Sequence, residues 1–160
     1  MRILISVLLI LLTPVTHGAQ LKPLTAECLN RAAKAYSFHP DILLAILWVE
    51  GGSVGKNSRA NKNGTYDIGP FQLNSMHRKT INDLGFSEDE VRNDGCVNVT
   101  IAAWHLRKIL PPEKEAEIHD EDSYLSAIAN YHSATPEYNK IYAGKLKKAF
   151  EHFYNEDAEE

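Results

Sequence analysis

Apolar and polar positions alternate along this chain with the period of helices nearly throughout. Thr25 stands as an N-cap before a helix expected to run to about Tyr36, with Cys28, Leu29, Ala32, Ala33 and Tyr36 on one face. Pro40 suits the first position of the next helix, Pro40 to Glu50. Every position from Ile42 to Val49 is apolar there, which predicts a central helix buried on nearly all sides, with Trp48 in the core. Gly51-Gly52 stop it. Residues 53–66 are polar and rich in Gly and Asn, and Asn63-Gly64 predicts a tight turn in a small hairpin or irregular lobe.

Gly69-Pro70 break the chain again, and Ser75 is the N-cap expected for a short helix from about Met76 to Leu84. Ser87 and Glu90 have the spacing of a capping box. Val99, Ala102, Ala103, Leu106 and Leu110 mark a helix over about 96–110, ended by Pro111-Pro112. After an acidic, solvated connection, further helices are expected over about 123–133 and from Thr135-Pro136 onward. The last is expected to bury Tyr138, Ile141, Tyr142, Leu146, Ala149, Phe150 and Phe153. The sum is a mainly α single domain in which a hairpin lobe and a central buried helix enclose a cleft. Residues 20–154 form the domain and 155–160 an acidic, disordered tail.

The first segment changes the picture of where the chain works. Arg2, the apolar run Ile3–Leu12, Pro14 and the small residues Gly18 and Ala19 read as a signal peptide over 1–19. The run is too short to span a bilayer, so an exported, periplasmic and monomeric protein with no stable membrane span is expected. Without Arg2, the 17 basic residues fall to 16 against 21 acidic ones, a balance of −5. That excludes a basic nucleic-acid footprint and gives no long-range attraction to an anionic polymer. In an exported chain, Cys28 and Cys96 favour one disulfide, two buried free thiols being the other reading.

The candidate chemistry centres on Glu50. A carboxyl held at a helix end among apolar residues keeps its proton at neutral pH, as cleavage of a glycosidic bond requires of its acid. Asp67 follows 17 residues later at the start of Gly69-Pro70-Phe71-Gln72, a segment expected to face Glu50 across the cleft. There a polar loop would keep it ionised. The histidines show no metal-ligand spacing, no cofactor motif is visible, and the calcium-loop look of Asn61–Gly64 fails for want of carboxylates at its ends. Trp104 fits the core and sugar stacking about equally.

Asp67-Ile68-Gly69-Pro70-Phe71-Gln72-Leu73-Asn74-Ser75 resembles the DYGILQINS segment of c-type lysozymes. More of the chain is similar to the soluble lytic transglycosylases. Cys28, Glu50, Gly69, Gln72, Cys96-Val97-Asn98-Val99 and Ala129-Asn130-Tyr131-His132-Ser133 carry that likeness, closest to members serving conjugation, type IV secretion and type IV pilus machines. The resemblance implies a lysozyme-like α+β fold and a peptidoglycan substrate. It makes Glu50 the sole acid/base, has Tyr131 hold it, and has Gly69 and Gln72 line the cleft. Phe71 and Asn74, with His132 and Ser133, are further candidates for substrate contact. The family's usual Ser after the Glu is Gly51 here, and its AYNAG motif reads Asn130-Tyr131-His132-Ser133-Ala134. Three readings follow: a lytic transglycosylase, a muramidase using Asp67, and a non-catalytic wall-binding or assembly protein.

Overall fold

The computed structural model describes residues 20–156. The expected signal peptide and residues 157–160 lie outside them. Helix α1 (Ala26–Ala35) begins at Thr25, whose side chain accepts from the Cys28 amide, and buries Cys28, Leu29, Ala32 and Ala33. Helix α2 (Pro40–Glu50) has Pro40 in its first turn and ends at Gly51, in the left-handed region at φ 60°. Only a residue tolerant of that conformation stops the helix in this way.

Strands β1 (Asp67–Ile68) and β2 (Leu73–Asn74) pair antiparallel, with Asp67 opposite Asn74 and Ile68 opposite Leu73. A 3-10 turn, Ser75–His77, leads into α3 (Arg78–Asp83). Helix α4 (Glu88–Asn93) carries both halves of the Ser87–Glu90 capping box. Helix α5 (Gly95–Ile109) is capped by Asp94, whose side chain accepts from the amides of Cys96 and Val97. Short α6 (Pro112–Glu115), α7 (Glu121–Ala129) and α8 (Pro136–Glu156) complete the order.

Helix α2 packs against α1 and α8, α5 against α1, α4 and α7, and α7 against α8. Their inward faces form one apolar core that includes Leu43, Ile46, Val99, Leu106, Ile128 and Leu146. The Cys28–Cys96 disulfide joins α1 to α5 with Cα atoms 5.2 Å apart. It closes 68 residues of sequence, which in the chain-entropy account disfavours the unfolded chain by about 4 kcal/mol.

Of the two readings of 53–66 the irregular lobe holds, and four other expectations are corrected. The hairpin is made by 67–74 and not by 53–66, because the residues flanking Asn63-Gly64 are polar and have no apolar face to bury. That stretch instead folds on its own side chains, with Asn63 Oδ1 accepting from the Thr65 amide (3.1 Å) and hydroxyl (2.7 Å). Its near end bridges β1 through Asn57 and Ile68.

Helix α2 is covered only on the side of Ile42, Leu43, Ala45 and Ile46. Leu44 and Trp48, four residues apart on the outer side, stay exposed, and Trp48 at 51% is not a core residue. Tyr138 and Ile141 are likewise more than half exposed, so the buried apolar positions of α8 begin at Tyr142. The cap of the turn after β2 is Asn74, which accepts from the Met76 amide, rather than Ser75. Helix α8 also runs through Asn155 and Glu156, into the stretch expected as tail. Among the described residues no helix is long and apolar enough to cross a membrane.

Candidate active site

Glu50 closes α2, and the two residues after it fix where its carboxyl sits. The Gly51 amide donates to Leu47 O (2.9 Å) and the Gly52 amide to Pro70 O (3.2 Å), tying the helix end to the hairpin turn. A β-carbon at Gly52 would collide with the carbonyl of Gly69 and the side chain of Gln72, so the contact requires glycine.

Beneath the hairpin lies Asn98 of α5, a fully buried amide. Its Nδ2 donates to Ile68 O (3.1 Å) and Val91 O (2.9 Å), and its Oδ1 accepts from the Phe71 amide (2.9 Å). All these bonds are made inside the core, where unpaired groups would be costly. Gly69, at φ 68°, passes so close to Asn98 that a side chain there has no room.

The cleft between these walls has a volume of about 300 Å³. Glu50, Asp67, Gln72, Asn74, Tyr131 and His132 all line it, together with Asn61, Leu73, Met76, His77 and His105. Of the expected contacts, Gly69 and Phe71 lie under the cleft: Phe71 is wholly buried in the core. Ser133 does not line it either; its hydroxyl accepts from the Thr135 amide (3.1 Å) and so braces the turn before α8.

The hydroxyl expected to hold Glu50 belongs to a different tyrosine. Tyr142 of α8 donates to Glu50 Oε1 at 2.7 Å. The Tyr131 hydroxyl instead donates to Phe71 O (2.8 Å), which anchors the hairpin turn behind the carboxyl. In the sequence Tyr142 is only one apolar position of a helical stripe, and no local motif singles out its hydroxyl.

Burial raises the Glu50 carboxyl from the usual 4.5 to about 7. The Tyr142 hydrogen bond pulls it down, the Asp67 charge pushes it up, and the Lys145 charge pulls it down. Desolvation wins, leaving an acid about half protonated at neutral pH.

Asp67 has a different setting. Its Oδ1 accepts from Asn74 Nδ2 (2.7 Å), and its Oδ2 from the Ser58 hydroxyl (3.3 Å) and Asn61 Nδ2 (3.5 Å). The Asp67 amide donates back to Ser58 Oγ (2.8 Å).

Three imidazoles complete the lining. His132 stacks on the Tyr142 ring at 4.9 Å and 3°. His105 stands edge-on to Tyr131 at 5.5 Å and contacts His77 at 4.7 Å. Burial lowers all three, His105 to about 4, so they are neutral hydrogen-bonding groups at neutral pH. Trp104 is partly buried beside His105, with Lys108 Nζ 5.0 Å from its ring centre.

The family described as "Transglycosylase SLT domain" matches residues 27–154. "Protein IpgF" of Shigella flexneri is 31% identical over 85 residues, covering 53% of this chain and 56% of that one. "Invasion protein IagB" of Salmonella typhimurium (strain LT2) is 30% identical over 89 residues, 53% of each. "Peptidoglycan-binding-like protein" of Escherichia coli O157:H7 is 30% identical over 91 residues, 52% of this chain and 54% of that one. The chain thus spans about half the length of the curated relatives it matches.

Proposed function

Because the chain belongs to the transglycosylase SLT domain family, we propose that it is a peptidoglycan lytic transglycosylase with Glu50 as its acid and base. The observation that carries this is a single carboxyl raised to about 7, held by one tyrosine hydroxyl, in a cleft of about 300 Å³ lined by hydrogen-bonding side chains. Protonated Glu50 donates to the oxygen of the β-1,4 bond between N-acetylmuramic acid and N-acetylglucosamine. The bond from the muramic C1 breaks, and the departing sugar leaves with that proton. Now a carboxylate, Glu50 takes the proton from the muramic C6 hydroxyl as O6 bonds to C1. The 1,6-anhydro ring closes, no water is consumed, and the acid is restored.

Tyr142 orients the carboxyl through this cycle. Burial and the Glu50 charge raise its hydroxyl well above the ordinary range, so it stays a donor in both halves. Gln72, Asn74, Asn61 and the neutral imidazoles offer hydrogen bonds to sugar hydroxyls and acetamido groups. The protein would work in the periplasm, opening the wall locally for a secretion, conjugation or pilus apparatus. The name of the invasion protein among its relatives agrees with that setting.

A hydrolytic reading has one observation in its favour: Asp67 shares the cleft with Glu50, as a second carboxylate must. Mass spectrometry of products from purified peptidoglycan, with Glu50→Gln beside the unaltered protein, decides between them. Anhydro-muramic ends that vanish in the variant are expected. Reducing ends with one added water would replace the proposal by a muramidase. No product, with wall binding intact, would leave a structural role.

A further inference from the structure

Three lysines among the described residues are paired with carboxylates. Lys22 meets Asp94 at 3.0 Å, Lys79 meets Asp83 at 2.7 Å, and Lys147 meets Glu121 at 3.4 Å. Two exposed lysines beside the cleft form no salt bridge among the described residues: Lys145 and Lys108.

Lys145 is one helical turn beyond Tyr142 on α8, and so on the side of the helix that holds Glu50 and stacks on His132. Lys108 is one turn beyond His105 on α5 and is anchored over Trp104. The field of Lys145 is felt at Glu50 and His132, and that of Lys108 at His77 and His105. Each lysine therefore flanks a different group of cleft residues.

This placement matters because the rest of the chain is acidic and the cleft itself contains Glu50 and Asp67. An anionic polymer gains nothing from the long-range field of such a protein. It can gain from a cation within a Debye length of where it docks, about 8–10 Å. On the lytic-transglycosylase reading, the ligand is a neutral amino-sugar backbone whose muramic residues carry peptide stems with free carboxylates. The backbone needs hydrogen bonds, which the cleft supplies. The stems project outward and need cations at the rim.

We propose that Lys145 and Lys108 are specificity determinants that engage stem-peptide carboxylates on either side of the cleft, so that the protein selects glycan bearing charged stems.

The test compares two substrates of the same shape: stem-bearing glycan strands, and the same strands with the stem carboxylates converted to neutral amides. The ratio of kcat/KM on the charged over the amidated strand is expected to fall about fivefold in Lys145→Gln and again in Lys108→Gln, the size of one exposed ion pair each. The preference should also weaken as salt is raised. A ratio unchanged in both variants, or no preference in the unaltered protein, overturns the proposal. Dissociation constants for the two strands, measured in a Glu50→Gln background, read the same ratio without turnover. Absence of any cleavage would then count against the catalytic reading alone. Lys145→Gln should in addition move the alkaline limb of activity upward, because the Lys145 charge holds Glu50 down, whereas Lys108→Gln should not. That split separates an effect on the acid from an effect on the stem.

Discussion

The wall that carries Glu50 and the wall that carries Asp67 hold the same functional group by opposite means. Glu50 ends an apolar helix pressed between α1 and α8, and a single hydroxyl reaches it. Asp67 begins a two-residue strand in a polar lobe, and side chains of Ser58, Asn61 and Asn74 surround it with donors. Helix packing supplies rigidity and removes water, which shifts a proton equilibrium. A lobe built on side-chain hydrogen bonds leaves its carboxylate solvated by the protein itself. The two walls are joined at few points: Gly52 on Pro70, Tyr131 on Phe71, and Asn98 under the turn.

Glu50→Gln is the sharpest way to break that contrast. Activity should fall at least about a thousandfold if one group supplies both proton transfers. The same variant tests the burial. A carboxyl raised in the folded state stays protonated there while the unfolded chain ionises, so its contribution to stability declines between pH 4.5 and about 7 and then levels off. Relative to the unaltered protein, Glu50→Gln should therefore gain about 2–3 kcal/mol between pH 4 and pH 8 in urea unfolding. An equal difference at both pH values would refute the raised carboxyl. Activity of the unaltered protein should decline as pH rises through about 7.

Asn98→Ala attacks the junction of the walls. It strands two carbonyls and one amide in the core, and should cost about 3 kcal/mol in the same unfolding experiment. Tyr142→Phe removes the hydrogen bond that lowers Glu50. We expect kcat to drop roughly tenfold and the alkaline limb to move to higher pH, with stability altered by only about 1 kcal/mol. A downward move of that limb would contradict the hydrogen bond. Asp67→Asn is the mildest. On the transglycosylase reading it costs only about threefold, and the limb moves down, since the Asp67 charge raises Glu50. A loss as large as that of Glu50→Gln would make the polar wall an equal partner in the chemistry.

The two walls also differ in how far the sequence revealed them. On the helical side the elements could be read directly: Thr25 and the Ser87–Glu90 pair mark helix starts through hydrogen bonds within three residues, and Pro40 through the φ its ring fixes in the first turn. Glu50 could be picked out because an apolar run ends on it beside two glycines. On the lobe side the turn signal at Asn63-Gly64 left a hairpin and an irregular lobe equally open, for a turn dipeptide does not say which flanking residues have a face to bury. In the sequence Asn61 stands out only as part of a failed calcium loop, yet it reaches Asp67 and lines the cleft.

By itself, then, the sequence determined the mainly helical character, the starts of α1, α2 and α4, the presence of two cysteines, and the carboxyl at the end of α2. These follow from short-range forces, periodicity and residue count. Tertiary structure alone decided that Trp48, Tyr138 and Ile141 face outward, because an apolar residue is buried only where another element covers it. It also decided that Tyr142 and not Tyr131 reaches Glu50, 92 positions away along the chain. Both tyrosines carry the same hydroxyl, and the crossing of α8 over α2 selects which one finds the carboxyl.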